Sequence, residues 1–462
     1  MITYIRINGF KSFHNFEMEF TPLTIIAGTN ASGKSNLFDA LKLLSTLAET
    51  DNIKKAFTKE QRGEFIELFT QYDEAKYADE MSFAVEMLVN NKVKDAWGNS
   101  EKLKYTRLRY ELVIRRFIND SGLDDVGVKY ESLVNLKHQD DKWIKIIPKE
   151  YLEWWRPKVV SGKRGIPYMQ TVEENGIPTV EVPQDGKTGN KRRFPMLNAS
   201  RTVLSSFDTI DFPHVLAAKE EMKNWRFLQL NPEDLRMPTN KSTGDDRISE
   251  SGENLAAALN RISSNNSYVL TEISRKLHSF IPNFIEVKVL DDKENKQYII
   301  KLLDKDRKEY TSRVLSEGTL RVLALCILEH DDSHTGLLCF EEPENGIHPL
   351  RIRTMSALLK DLTTDFSDES LPLRQVIVNT HSPILVKEID KWKNDLNVSI
   401  WYSQISNLVT TSHVGKIKLS ITKILPVEKE HEYQFRILYS DADRKMTLTR
   451  VKEYLETTEN MQ

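Results

Sequence analysis

Residues 28–35 read GTNASGKS, and this stretch decides the fold class. Its Gly-x-x-x-x-Gly-Lys-Ser spacing is typical of a loop that wraps nucleotide phosphates with backbone N–H groups. The apolar run LTIIA at 23–27 precedes it, and NLFDALKLLSTLAE at 36–49 follows with apolar residues at helical spacing. A strand before and a helix after are the context that this motif requires, so the sequence predicts a phosphate loop at 28–35.

Each residue type in the phosphate loop suits one part of that task. Gly28 and Gly33 permit tight turns that aim successive N–H groups inward. Lys34 can reach the β- and γ-phosphates, and the Ser35 hydroxyl suits a ligand position on Mg²⁺. The N-terminus of the following helix adds unpaired N–H groups and the positive end of a dipole. We therefore predict ATP and Mg²⁺ as cofactors, with the nucleotide bound by Gly28, Thr29, Asn30, Ala31, Ser32, Gly33, Lys34, Ser35 and Asn36.

Composition narrows the class of protein. The 462 residues are 39% hydrophobic and 29% charged, which fits a globular chain of one to three domains. No apolar run approaches a membrane span and no signal-peptide pattern opens the chain, so we expect a cytoplasmic protein without a membrane partner. Cys326 and Cys339 lie in apolar runs and are expected to be buried, reduced thiols. The net charge of −3 gives no overall attraction to nucleic acid.

A second decisive stretch contains GLLCFEE at 336–342. A short apolar run that ends in two acids is typical of a parallel strand buried on both faces. Ligands of such sheets bind beyond the carboxyl ends of the strands, where Glu341 and Glu342 are expected. We predict that Glu341 holds Mg²⁺ through water and that Glu342 orients and deprotonates the attacking water.

Two further stretches add phosphate-binding groups. LSEGT at 315–319 opens an apolar helix, where Ser316 and the Gly318 N–H are suited to gripping a phosphate. Because the triphosphate already has its own loop, this second grip suggests action on the nucleotide of another chain. QVIVNTHSP at 375–383 is a buried strand that ends in His381, which can donate to a γ-phosphate.

In this order the motifs resemble the ABC-type ATPase heads of SMC, RecF, RecN and OLD proteins, over residues 1–50 and 250–390. The resemblance implies an α/β fold, an ABC-ATPase-type P-loop NTPase head with a parallel core sheet, an antiparallel β layer and a helical insert. It implies a head-to-head homo-oligomer in which Ser316 and Gly318 complete the site of a neighbour. The residues it assigns are Glu342 and His381 to catalysis, Ser35 and Glu341 to the metal, Lys11 to the phosphates, and ENGIH at 344–348 to the D-loop of the dimer interface.

The chain departs from that family in three places. LSEGT replaces the usual Leu-Ser-Gly-Gly-Gln, and Glu341 stands where Asp is commoner. The family's Gln-loop is not placed, with Gln71 and Gln170 as candidates. The spacing between Lys34 and Ser316 is too short for an SMC coiled-coil arm and predicts a smaller insert.

We divide the chain into four regions on these grounds. Residues 1–136 and 251–390 are the two parts of the ATPase head, and 137–250 is a partly irregular, helical insert. Residues 391–462 form a tail for packing or partner docking. Asp441 and Asp443 in this tail are interpreted as an acidic turn, so no nuclease activity of the chain itself is expected.

A head without an arm needs another protein to give its ATPase cycle a consequence. The layout loosely resembles the ATPase subunits of bacterial anti-phage systems such as Septu (PtuA) and PARIS (AriA), which implies a nuclease as partner effector. The alternative is a RecF-like DNA-binding clamp of DNA repair. Its candidate DNA contacts are the basic stretches at 156–165 and 186–193, with Trp154 and Trp155 beside the first.

Overall fold

The computed structural model describes residues 1–58, 64–73, 76–157, 167–184, 190–242, 247–412, 415–427 and 441–456. The strands in these ranges are β1 (Ile2–Asn8), β2 (Phe16–Glu19), β3 (Leu23–Ala27), β4 (Gln71–Asp73), β5 (Lys76–Tyr77), β6 (Glu80–Leu88), β7 (Lys92–Lys94), β8 (Ser100–Lys102), β9 (Arg107–Ile118), β10 (Asp124–Asn135), β11 (Gln170–Glu174), β12 (Ile177–Pro183), β13 (Lys191–Pro195), β14 (Arg226–Leu228), β15 (Thr239–Asn240), β16 (Phe284–Asp292), β17 (Gln297–Asp304), β18 (Glu309–Thr311), β19 (Gly336–Glu341), β20 (Arg374–Thr380), β21 (Val398–Ser412) and β22 (Gly415–Pro426). The helices are α1 (Lys34–Glu49), α2 (Ile53–Thr58), α3 (Leu152–Trp155), α4 (Pro213–Lys223), α5 (Pro232–Arg236), α6 (Leu255–Asn265), α7 (Tyr268–Phe280), α8 (Glu317–Glu329), α9 (Ile352–Asp361), α10 (Pro383–Asp390) and α11 (Asp441–Glu456).

A central six-stranded sheet positions the functional residues. Its order is β14-β19-β20-β3-β21-β22, and every neighbouring pair except the last is parallel. All residues of β3 and β20 are buried, as expected of strands covered on both faces. The register pairs Thr380 with Ala27 and Asn379 with Glu341, so the phosphate loop, the two acids and His381 all follow strands that end at one edge. We call this the carboxyl edge.

Two hydrophobic cores cover the two faces of the central sheet. On one face α1 packs with Ile26, Cys339 and Trp401. On the other face α8 packs with Ile25 and its neighbours along the strands. Cys326 and Cys339 are free and buried, as predicted, and burial raises the pKa of both thiols.

The antiparallel β layer is a five-stranded sheet of order β10-β9-β6-β1-β2. Its inward side chains share the core that contains α1, and this confirms the predicted layer over the phosphate-loop helix. A second small sheet of order β15-β17-β16 precedes α8, and α7 packs on β16. The predicted α/β head with a parallel core is therefore the observed fold.

The central sheet also takes strands from outside the two predicted head regions. Within 137–250, a three-stranded sheet of order β11-β12-β13 and helix α4 occur, but β14 pairs with β19 in the central sheet. Within 391–462, β21 pairs directly with β3. No helix of the described residues is long and apolar enough to cross a membrane.

Candidate functional site

The phosphate loop has the backbone geometry that an anion cradle needs. Gly33 caps α1 in the left-handed conformation, with φ +88°, and a Cβ there would lie 1.9 Å from Thr422 Oγ1, so only glycine fits. No side chain caps the N-terminus of α1, so no side chain occupies its first N–H groups. This uncapped terminus behind a glycine-rich turn suits the phosphates of a nucleotide.

Lys34 lies inside the loop rather than outside it. Its side chain is buried, and Nζ donates to the carbonyl oxygens of Gly28 and Thr29, both at 2.8 Å. Burial lowers the pKa of Lys34, and the negative charges of Glu342 and Glu341 oppose that shift. The ammonium group is therefore held between the loop and the acids of the carboxyl edge, where a γ-phosphate would lie.

Two side chains predicted to bind Mg²⁺, Ser35 and Glu341, lie at the same edge. Asn379 Nδ2 lies 3.4 Å from Ser35 Oγ, and Asn379 is the register partner of Glu341 on the neighbouring strand. A hydroxyl and one carboxylate match the few protein ligands that Mg²⁺ takes beside phosphate oxygens and water. Among the described residues, no group of three or more His, Cys, Asp or Glu could hold a metal without such help.

Glu342 is tied at both carboxylate oxygens. Oε1 accepts from His381 Nδ1 at 2.8 Å, and Oε2 accepts from Asn345 Nδ2 at 2.7 Å. Burial acts to raise the pKa of Glu342, but these hydrogen bonds and the charges of His381 and Lys34 outweigh it, so the net pKa is below the ordinary value. Glu342 is thus an ionised acceptor at neutral pH, as a general base must be.

His381 is placed by a buried network beneath it. The Thr380 hydroxyl accepts from Ser382 N at 2.9 Å and is hydrogen-bonded to the buried carboxyl group of Glu344. Burial raises the pKa of Glu344. The His381 side chain itself is 44% exposed, so it faces the solvent side of the carboxyl edge while its backbone is fixed.

Ser316 and Gly318 lie at the start of α8, as predicted. Ser316 is the N-cap, and its Oγ accepts from Thr319 N at 3.3 Å. A Cβ on Gly318 would lie 2.3 Å from the carbonyl oxygen of Gly346, so the two backbones touch. Their action on the nucleotide of a neighbouring chain stays a prediction.

Lys11 and Asn36 belong to one polar group at the start of α1. Lys11 Nζ lies 2.6 Å from Asp39 Oδ2, and Asn36 Nδ2 donates to Ser12 Oγ at 2.7 Å. Ser12 Oγ also lies 2.6 Å from Thr422 Oγ1 of the C-terminal hairpin. Lys11 is therefore beside the phosphate-loop helix with its charge paired, and its phosphate contact stays a prediction.

The topology favours a third candidate for the Gln-loop. Gln229 follows β14 directly, and the register of Leu228 with Phe340 places it level with Glu341 at the carboxyl edge. Gln71 and Gln170 begin β4 and β11, which belong to other sheets. The sequence does contain a signal for this residue, the short run RFL at 226–228 followed by Gln229 and by the turn residues Asn231 and Pro232. The signal was missed because this run is far from the two acids in the sequence.

Among the described residues of the two basic stretches, Lys191 and Arg193 are engaged within the chain. Lys191 Nζ lies 2.8 Å from Glu181, and Arg193 lies 3.1 Å from Glu174. Trp155 is buried and donates to Phe366 O at 3.0 Å, whereas Trp154 is 38% exposed. Lys163 and Arg164, like most of the stretch at 156–165, lie outside the described residues.

The acids predicted as an acidic turn lie instead at the start of a helix. Asp441 and Asp443 are within the first turn of α11. This run becomes helical because α11 packs through Val451 and Tyr454 against the second core, and tertiary packing overrides the local turn preference.

Two family models match the chain around this site. One, described as "AAA domain", matches residues 4–174, and the other, described as "AAA domain, putative AbiEii toxin, Type IV TA system", matches residues 201–387. No curated protein matches the chain significantly.

Solved structures of SMC heads resemble the chain over nearly their whole length. An SMC head bound to the C-winged helix domain of ScpA is 15% identical with a TM-score of 0.49, covering 93% of this chain and 98% of that one. The SMC head domain from Thermotoga maritima is 12% identical with a TM-score of 0.39, covering 92% and 99%. An SMC head with an extended coiled coil from Pyrococcus furiosus, bound to the C-terminal domain of ScpA, is 11% identical with a TM-score of 0.44, covering 98% and 99%. These TM-scores are too low to carry an argument, so the fold class rests on the strand order and the phosphate loop of this chain.

Proposed function

We propose that this chain is an ATPase, and that it hydrolyses ATP at the carboxyl edge of its central sheet in sites completed by a second copy. The observation that carries the proposal is the Glu342 carboxylate, held ionised between His381 and Asn345 beside the buried Lys34. An oriented carboxylate next to a phosphate cradle is the arrangement that hydrolysis by water requires.

The chain's own groups divide the chemistry as follows. The phosphate loop and Lys34 bind and orient the triphosphate. Glu342 accepts the proton of the attacking water, and His381 donates a hydrogen bond toward the γ-phosphate. Ser35 and Glu341 would hold Mg²⁺, which supplies charge neutralisation of the phosphate oxygens when bound.

Gln229 lies where it can orient water on the β14 side of the site. Gln229→Ala should therefore lower kcat while the affinity for nucleotide is kept. An unchanged kcat would remove this assignment.

The metal assignment has a direct test. Phosphate release by the purified chain is measured with Mg²⁺ and after its removal by EDTA, for the parent and for Glu341→Gln. The parent should lose activity with EDTA, and the variant should need much more Mg²⁺ to bind ATP. Equal Mg²⁺ dependence of the two proteins would contradict the role of Glu341.

The finer part of the proposal is control of a partner effector, a nuclease, in bacterial anti-phage defence. The family model that matches residues 201–387 is described as a putative AbiEii toxin of a Type IV toxin–antitoxin system, and this supports a place in such systems. To test this, any nuclease encoded beside this gene would be co-expressed with the chain, and its activity would be compared in the presence of the parent and of Glu342→Gln. Dependence of nuclease activity on the ATPase state supports the proposal, and activity that ignores the chain contradicts it.

The DNA clamp remains the alternative, and the exposed Trp154 is the observation in its favour. Lys191 and Arg193 weaken it, because each is paired with an acid and contributes little free charge to phosphates. A DNA affinity that falls steeply with salt would support the clamp. No measurable affinity for DNA would remove it.

A further inference from the structure

In the turn after β19, residues 342–346, the side-chain amide of Asn345 contacts Glu342, the proposed general base. Asn345 N donates to Glu342 O at 3.1 Å, which closes the turn, and Asn345 Nδ2 donates to Glu342 Oε2 at 2.7 Å. A carboxylate only accepts hydrogen bonds, so the amide must present its NH₂ group to Glu342. Because His381 Nδ1 occupies the other oxygen, rotation of the Glu342 carboxylate is restrained from both sides.

The position of Asn345 is itself fixed by its two chain neighbours. On one side, the buried Glu344 is hydrogen-bonded to the Thr380 hydroxyl, which anchors the turn to the strand that bears His381. On the other side, the Gly346 carbonyl packs against Gly318, where even one added carbon would lie 2.3 Å away. The Asn345 side chain thus projects from a segment held at both ends.

The backbone of Glu342 supports the same conclusion. Glu342 has φ +48°, a left-handed conformation that non-glycine residues rarely adopt. Its N–H donates to Asn379 O at 2.8 Å, which holds this conformation against the strand beside it. Strained conformations of this kind persist where the surrounding structure holds them in place. Here the left-handed backbone turns the Glu342 side chain in a direction that an extended strand end would not give it.

We propose that Asn345 is a positioning residue that orients the Glu342 carboxylate to accept a proton from the water that attacks the γ-phosphate, an inference that rests on the proposed ATPase function. Asparagine suits this position because its amide is a short donor without charge. Aspartate has the same shape but repels the base, and alanine provides no donor. Gly346 contacts Gly318 at the start of α8. In the proposed assembly this part of α8 binds the nucleotide of the neighbouring chain, so the orientation of Glu342 in one chain is linked to the nucleotide of the other.

The test uses Asn345→Asp and Asn345→Ala in the full chain. Aspartate forms turns as readily as asparagine, so the Asp variant keeps the turn while it removes the donor and adds a negative charge beside Glu342. The Ala variant removes the donor without adding charge. In both variants kcat should fall on the order of ten- to a hundredfold, because a misaligned base costs the chemical step. The KM, the affinity for a fluorescent ATP analogue and the melting temperature should stay at the parent values. Asn175→Asp, in the exposed turn between β11 and β12 with φ +53°, is the matched control and should keep the parent kcat.

Three outcomes separate the possibilities. A parent-like kcat in Asn345→Asp overturns the inference. A loss of nucleotide affinity and melting temperature in step with kcat also overturns it, because the role would then be structural. If Glu342→Gln hydrolyses ATP at the parent rate as well, the proposed function fails, whereas full activity of the Asn345 variants alone removes only the inference.

Discussion

At the amino ends of β19 and β20, the Arg374 guanidinium donates to the carbonyl oxygens of His334 at 2.9 Å, Glu329 at 3.0 Å and Asp331 at 2.9 Å. At the carboxyl ends of the same two strands, Glu342 and His381 hydrogen-bond each other, with side chains 36% and 44% exposed. In both clusters a charged side chain makes two or more hydrogen bonds. The first is buried and directed at the chain's own backbone, which indicates a structural role, whereas the second faces solvent beside a phosphate cradle, which indicates chemistry.

The largest effect is expected at the carboxyl edge. Lys34→Ala should abolish ATP binding, because the loop loses the cation between its carbonyl oxygens and the acids. The melting temperature without nucleotide should stay near that of the parent, since the loop is not part of the two cores. Titration with a fluorescent ATP analogue measures the change.

The control for that variant is Lys42→Ala on the same helix. Lys42 Nζ makes an ion pair with Glu250 at 2.9 Å, of the exposed kind that contributes little. The Lys42→Ala variant should bind ATP like the parent. Near-normal affinity in Lys34→Ala would contradict the phosphate-loop assignment.

Glu342→Gln should separate binding from chemistry. Glutamine keeps the size of the side chain but cannot accept the proton of water, so kcat should fall about 10²- to 10⁴-fold while ATP binding is retained. Single-turnover phosphate release checks this, with the exposed Glu369→Gln as control. Equal rates for Glu342→Gln and the parent would mean that the strand end is only structural.

The amino end should respond in the opposite way. Arg374→Met leaves two buried carbonyl oxygens and one partly buried one without their donor, which should lower the free energy of unfolding by about 3 kcal/mol. The kcat per folded molecule should not change. Urea unfolding and ATPase rates measured on the same preparation test this difference, and a selective loss of kcat would abolish the distinction between the two ends.

A smaller effect at the amino end depends on pH. Burial lowers the pKa of His334 to about 4, from an ordinary 6.5, with the charge of Arg374 acting the same way. Between pH 6.5 and about 4, the unfolded chain binds a proton at His334 and the folded chain does not. The free energy of unfolding therefore falls as the pH falls from about 6.5 toward 4. His334→Gln should reduce this loss by at most about 3 kcal/mol. Unfolding curves at several pH values measure it against His278→Gln, and identical pH dependence of the parent and His334→Gln would contradict it.

Motifs with short, ordered spacing could be predicted from the sequence because their chemistry is local. The loop between β3 and α1, the strand that ends at Glu341 and the helix that begins after Ser316 were all placed correctly. Contacts between distant parts of the chain could not be predicted this way. Ser403 Oγ, for example, donates to Ser32 O at 2.9 Å across most of the sequence.

The same reason explains the residues that sequence reasoning missed. Gln229 lies at the carboxyl edge because β14 pairs with β19, and the three-residue strand before it carries too weak a pattern to reveal that pairing. Asn345 lay within a recognised stretch, yet its contact with Glu342 depends on the left-handed backbone of Glu342. Glu344 lay in the stretch assigned to the D-loop, but its burial against Thr380 was not predicted.

The central claim is that the carboxyl edge becomes a complete ATPase site only with Ser316 and Gly318 of a second chain. Its most direct test mixes two inactive variants, Ser316→Arg and Lys34→Ala, and measures ATP hydrolysis by the mixed assemblies. Ser316→Arg should bind ATP but not hydrolyse it, and the mixture should regain part of the parent rate, because one composite site then has both an intact cradle and an intact helix start. Zero recovery in assemblies shown to contain both variants, or full hydrolysis by Ser316→Arg alone, would contradict the claim.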